Sequence, residues 1–352
     1  MAQITRWKHR PPGSNWGDFG PDDQRGRLNF LTPEKVRQAA AEIREGRVFC
    51  LSLPLDLPGG NILNPRRFPP VLRPTIRNGR VNFNYQLAQD DPHATDVLCD
   101  DAVILHTQYS TQWDGLSHVG QLFDADGDGV PEPVYYNGFR AGEDIIGPTD
   151  AADAGAIGNV PARATSAAKA LGIEHMASTG VQGRGVMIDL HAHVERKRVS
   201  IGYERLMRIM DADRVEVEKG DMVCFHTGFG EMCVEMNGTP DAFALENNCA
   251  VLDGADTALL NWITDSGLAV LIADNYAVEE HPATKHHHGS SAIVPLHEHC
   301  LFKLGIHLGE LWYLTELAEW LRKNKRSRFF LTAPPLRLPG AVGSPVTPVA
   351  TV

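Results

Sequence analysis

Apolar residues along this chain occur in two patterns, short unbroken runs and helical steps, and their alternation predicts a mixed α+β chain. Runs at 48–55, 102–107, 186–190, 222–227 and 269–273 read as strands. The last three are apolar throughout and end on polar residues, so they predict buried strands delivering Asp189, His226 and Asp274 to a common edge. Helical spacing marks 164–171, 203–211 and 313–323, the last being amphipathic. Residues 32–46 carry their own punctuation: Thr32 as N-cap, Pro33 at the first helical position and Gly46 as the stop. Residues 56–95 are rich in Pro, Asn and Arg with little periodicity, which predicts a long loop covering a substrate site. The Pro/Gly-rich tail from 333 to 352 reads as extended, and no unit repeats along the chain.

Composition narrows the class. At 352 residues, with 43% hydrophobic and 22% charged residues, the chain has ample material for a buried core and no signature of large-scale disorder. A formal net charge of −11, with no basic run longer than Arg196, Lys197 and Arg198, argues against nucleic acid and against an anionic membrane surface. A small-molecule partner is expected. The N-terminal residues lack the apolar segment of a signal peptide, and no stretch approaches the roughly 18 apolar residues of a membrane span. Six cysteines are scattered singly, without C-x-x-C spacing, as expected of reduced thiols in the cytoplasm.

Candidate chemistry concentrates between residues 108 and 118. Asp114 offers a hard anionic oxygen and His118 an imidazole, while Gln108 and Gln112 can supply amide oxygens to a cation or hydrogen bonds to its water. A polar turn closed by the Asp side chain, with Trp113 as an apolar plug, is the plain structural alternative.

In register, the segment resembles the H-x-G-T-H-x-D-x-P-x-H signature of the metal-dependent cyclase family, which includes bacterial kynurenine formamidases and isatin hydrolases. Thr111, Asp114 and His118 match it; Gln108 and Gln112 stand where the signature has its first two His, Ser110 replaces Gly and Leu116 replaces Pro. Further stretches are similar to the family in unbroken order. They are Asn15–Gly17 with Asp22–Asn29, Gly183–Asp189, Gly220–Gly228 and Leu338–Pro345.

The resemblance implies a single cyclase-like domain over 1–352, a swivelling β/β/α fold with central sheets flanked by helices. Within it lie an N-terminal segment at 1–46, the loop region at 56–95 and a C-terminal arm at 333–352 that wraps a neighbouring subunit in a homo-oligomer, a dimer or tetramer. It implies one divalent metal ion, Mn²⁺ or Zn²⁺, held by Asp114, His118, His297 and Glu310, with His299 as a rival to His297. The two Gln replacements remove imidazoles that help hold a second ion in two-metal members.

Two imidazoles and two carboxylates would neutralise a divalent ion and leave positions for water and substrate. The expected activity is hydrolysis of a cyclic amide, lactone or aryl-formamide, with proton transfer by His118, Glu310 or His299. Gln108, Thr111 and Gln112 are candidates to bind the oxyanion or water. Trp113, Tyr136 and Asn137 are candidates to line a flat pocket, and His175 and His226 to touch substrate. A non-hydrolytic cyclase or dehydratase on the same metal, or a metal-free binding protein, are the alternatives. Asp124, Asp126 and Asp128 have half of a calcium-loop pattern, but Tyr135 stands where a bidentate Glu is wanted, so an Asp/Gly turn is the reading preferred. His286, His287 and His288 are expected in a solvated loop, and His191 and His193 at the surface.

Overall fold

Among the residues described by the computed structural model, 6–155, 163–281 and 292–352, nine strands form one mixed sheet. In chain order they are β1 (Val48–Cys50), β2 (Gln112–Asp114), β3 (Gln182–Asp189), β4 (Met222–His226), β5 (Val270–Ala273), β6 (His307–Glu310), β7 (Arg328–Thr332), β8 (Gly343–Pro345) and β9 (Val349–Thr351). Their spatial order is β1-β9-β7-β3-β4-β5-β6-β2-β8. Neighbours from β3 through β6 run parallel, and β2, β7, β8 and β9 join antiparallel.

Both faces of the parallel centre are covered, which is why β4 and β5 read as unbroken apolar runs rather than alternating ones. On one face, α2 (Tyr203–Asp213) and α3 (Thr257–Ser266) bring Leu206, Ile209, Leu259 and Ile263 against Ile188, Val223, Phe225, Leu271 and Leu308. On the other, α4 (Thr315–Lys323) sets Leu317 and Leu321 against Met187, Cys224, Ile272, Trp113 and Trp312. Each such side chain contributes roughly 1.5–3 kcal/mol when fully buried. The α+β expectation is borne out.

Local signals held where tertiary contacts agreed with them. Thr32 Oγ1 accepts the Lys35 N–H, and Pro33 opens α1 (Pro33–Ala40), although turns rather than helix lead on to Gly46. The 48–55 strand shrinks to β1, with Leu51 and Leu53 buried beyond it. The segment 102–107 was expected to lead into the site as a strand. Instead Asp101–Ile104 pairs with Val71–Pro74 in a small exposed hairpin outside the main sheet.

That hairpin and two others also break up the supposed loop at 56–95. No helix forms at 164–171 within the described residues. There Ala167–Ala168 pairs with Ile145–Ile146, and the Ala168 N–H donates to the Gly340 carbonyl, a long-range partner that helical spacing cannot reveal. The tail at 333–352 is not a free arm. It returns into the chain's own sheet as β8 beside β2 and β9 between β1 and β7, and the last residue, Val352, is buried.

A buried ion cluster ties helix to sheet. Arg184 on β3 grips both oxygens of Asp221, at 2.9 and 2.8 Å, and Lys35 of α1 reaches the same carboxylate at 2.6 Å. Removing one partner of a buried pair costs about 3–5 kcal/mol, and without Asp221 the two cations would keep the half-exposed Glu218, 3.0 Å from Arg184 and 3.8 Å from Lys35. Asp221→Ala is therefore expected to lose about that much stability, read as a lowered denaturant midpoint, whereas a change under about 1 kcal/mol would show the cluster to be solvated.

Candidate metal site

Two antiparallel neighbours set the floor of the site. Register places Asp114 opposite Leu308, Trp113 opposite Gly309 and Gln112 opposite Glu310. Side chains alternate along a strand, so Gln112, Asp114 and Glu310 share the face of Leu308 and Trp113 takes the other. Trp113, expected in the pocket wall, is accordingly fully buried against Trp312 with ring centroids 5.1 Å apart, and its indole N–H donates to the Ala333 carbonyl at 2.8 Å. Gly309 permits this stacking, because a Cβ there would come within 2.9 Å of Trp312 Nε1.

The third side chain comes from the helix that begins at Pro295. His297 Nε2 lies 3.2 Å from Glu310 Oε1 and 3.7 Å from Asp114 Oδ2, and donor atoms of Asp114, His297 and Glu310 all fall within 4.8 Å of one another. Behind the ring, Nδ1 meets Glu279 Oε1 at 2.8 Å. The same carboxylate accepts the backbone N–H groups of His297 and Leu296, each at 2.9 Å. Glu279 is wholly buried, and a Cβ on Gly254 would come within 1.9 Å of its Oε2, so glycine is needed beside it. A carboxylate bonded to the far nitrogen of an imidazole fixes the ring and leaves Nε2 to face a cation.

The helix itself is clamped by the N-terminal segment. Trp16 Nε1 donates to the Phe302 carbonyl at 2.7 Å, and Asn15 Nδ2 to that of Leu304 at 2.8 Å.

Amide donors complete the cluster. Gln112 Nε2 reaches Glu310 Oε2 at 3.1 Å and Asp114 Oδ1 at 3.4 Å, while Gln108 Nε2 donates to Asp114 Oδ1. Gln112 Oε1 is buried with no partner, an orphaned acceptor beside two carboxylates. Burial opposes charge on His297, but the Glu279 and Glu310 carboxylates outweigh it and push the imidazole up to about 10. Carboxylates that hold a proton so firmly also attract a divalent cation, which competes for the same nitrogen. Two ligands each about 2.1 Å from one ion stand about 3–4 Å apart, so the spacings among Asp114, His297 and Glu310 fit such an ion.

His118 lies at the rim, 4.0 Å from Asp114 Oδ1, and burial holds its imidazole below the ordinary value although Asp114 pulls the other way.

Several candidates lie elsewhere. His299 bonds Thr264 Oγ1 at 2.8 Å, outside the group of Asp114, His297 and Glu310, and burial pushes its imidazole down to about 4. Thr111 ties Leu53 N–H to the Leu311 carbonyl, with no hydroxyl proton left for an oxyanion. Tyr136 is buried in the core, and Asn137 bridges Gly17, Gly20, Pro21 and Asp23. His175 sits on a short helix 4.0 Å from Glu174. His226 faces the α4 side of the sheet, bonded to Asp189 at 2.9 Å and Thr315 at 3.2 Å; burial disfavours its charge, but Asp189 outweighs this and raises its pKa.

His193 pairs with Asp213, and His191 packs on the His226 ring. Asp124, Asp126 and Asp128 accept backbone N–H groups from residues 127–130 in a turn, though their oxygens also lie close enough for a cation. His286, His287 and His288 lie outside the described residues. Glu279 escaped sequence reasoning because nothing local separates it from the adjacent Glu280.

The Cyclase family model matches residues 49–280. The crystal structure described as a novel cyclase aligns with a TM-score of 0.71 at 30% identity, covering 96% of this chain and 99% of that one. Isatin hydrolase A from Ralstonia solanacearum aligns at 0.52 with 14% identity over 86% of this chain and 91% of that one. Isatin hydrolase A from Labrenzia aggregata, bound to benzyl benzoate, aligns at 0.54 with 12% identity over 89% and 94%. Among curated proteins none matches.

Outer carboxylates of this kind typically change metal affinity by about 10–100-fold. Glu279→Gln is expected to weaken Mn²⁺ or Zn²⁺ binding by that factor in a calorimetric titration while Asp114 and Glu310 stay intact. Unchanged affinity would mean that Glu279 only caps the helix.

Proposed function

The chain belongs to the cyclase family, and from that membership we propose that it is a metal-dependent hydrolase that opens a cyclic amide or lactone, or cleaves an aryl-formamide. The observation that carries the reading is the convergence of Asp114, His297 and Glu310, with Glu279 buried behind His297. Those three would hold one Mn²⁺ or Zn²⁺. Bound there, a divalent ion supplies Lewis-acid chemistry, polarising a carbonyl and lowering the pKa of water from about 15.7 toward about 7.

The remaining work falls to the chain's own groups. Glu279 keeps His297 oriented with Nε2 toward the two carboxylates. Gln112 donates to both carboxylates through Nε2 and offers its unpaired Oε1 to the O–H of an attacking water. His118, held neutral at pH 7 by its lowered pKa, has the form required of a fourth ligand or of a proton acceptor; as the tetrahedral adduct collapses it can return that proton to the leaving nitrogen or oxygen. The partner is a small molecule, and a cytoplasmic setting suits the free thiols and the lack, among the described residues, of any helix long and apolar enough to cross a membrane.

Incubation of metal-loaded protein with a panel of lactones, cyclic amides and aryl-formamides tests the assignment by mass. Hydrolysis adds one water across the bond broken, so a product of unchanged mass, or one lighter by a water, would contradict it. Loss of several kcal/mol of Lewis-acid stabilisation corresponds to a rate loss of about a thousandfold or more, which is the expectation for Asp114→Ala.

A further inference from the structure

Acidic residues outnumber basic ones in this chain by 44 to 33, so a partly buried arginine that finds no carboxylate stands out. Arg67 is such a residue. Its Nη1 donates to the Gln108 carbonyl at 2.7 Å, and among the described residues no acid lies within ion-pair reach of it. Among the described residues that bond leaves the Nε and Nη2 edge without a partner, and this edge is the planar fork that takes a carboxylate through two parallel N–H···O bonds.

Its position ties it to the metal cluster. Gln108 holds Arg67 through its backbone oxygen and Asp114 through its side-chain amide, so one residue links the guanidinium to a ligand carboxylate. Arg67 and Gln108 line one crevice with Asn64, Tyr109 and Tyr276. Tyr276 also borders a second cavity of about 330 Å³ that reaches Glu279, so its ring lines both. A cavity of about 360 Å³ beside Asp189 and Arg322 is walled by Met187, Ala318 and Leu321, on the α4 face of the sheet, away from this chemistry.

We propose that Arg67 selects substrates that carry a carboxylate beside the ring or amide to be hydrolysed, pairing with that group while the scissile carbonyl faces Asp114, His297 and Glu310. This rests on the hydrolase reading above. A partly buried cation with one neutral partner gains most from an anion that arrives with the substrate, because the pair is then shielded from water.

Benzoate can engage a metal ion alone, whereas phthalate, isophthalate and terephthalate can engage a metal ion and Arg67 together. Titration calorimetry of the metal-loaded protein is expected to show at least one of the dicarboxylates binding tenfold or more tighter than benzoate. Arg67→Met should erase that preference with metal content unchanged, and Arg67→Lys should retain part of it, which also guards against a folding defect in the first variant. A preference that survives in Arg67→Met, or no preference in the wild type while benzoate still binds, overturns the role of Arg67 alone. Absence of benzoate binding by the metal-loaded wild type overturns the underlying metal-site reading together with it.

Discussion

The contact on which the rest of the site depends is the Glu279 carboxylate beneath His297. A carboxylate taken fully out of water is costly unless its oxygens are bonded, and here the N–H groups of Leu296 and His297 and the Nδ1 edge of the imidazole supply the bonds. One group thus solves three problems. It satisfies orphan donors at the start of the Pro295 helix, it orients the ring that helix carries, and it adds negative charge behind a nitrogen that faces two more carboxylates. The close approach of Gly254 and the clamp of Trp16 and Asn15 on the helix fix the position in which this happens.

The sheet divides labour by parity. On β2 and β6, Gln112, Asp114 and Glu310 face the layer that carries His297, while Trp113 and Gly309 face the tryptophan stack under α4. The site is therefore rigid on its lower side: shifting β2 by one residue would exchange the metal-facing set for an indole. The two glutamines belong to the same logic. Their amide N–H groups sit on the Asp114 and Glu310 oxygens, where they stabilise carboxylates without adding charge of their own.

What was legible in the sequence follows the range of the forces involved. The buried strands at β4 and β5, the amphipathic α4 and the capped start of α1 depend on local pattern and appear in the structure, and family membership was legible from motifs spread along the chain. Trp113 could have been placed by the same local rule, since a residue between Gln112 and Asp114 on a strand must point away from both. Thr111, Tyr136 and Asn137 could not, because their partners or packing lie far away in sequence, as with the Asn137 bonds to Gly20 and Asp23. Glu279 and Arg67 carry no periodic or motif signal, and only the folded geometry distinguishes each from its neighbours Glu280 and Arg66. The tail is a related case: its Pro and Gly report an extended chain, but not the strands it pairs with, β2 for β8 and β1 and β7 for β9.

The central claim is that Asp114, His297 and Glu310 form a centre for one divalent ion, with the Gln108 and Gln112 amides bonded to its carboxylates. Elemental mass spectrometry of the purified protein after loading with Mn²⁺ or Zn²⁺ and removal of excess tests it most directly. About one ion per chain is the result expected of a single catalytic site; none retained, or two, would contradict it.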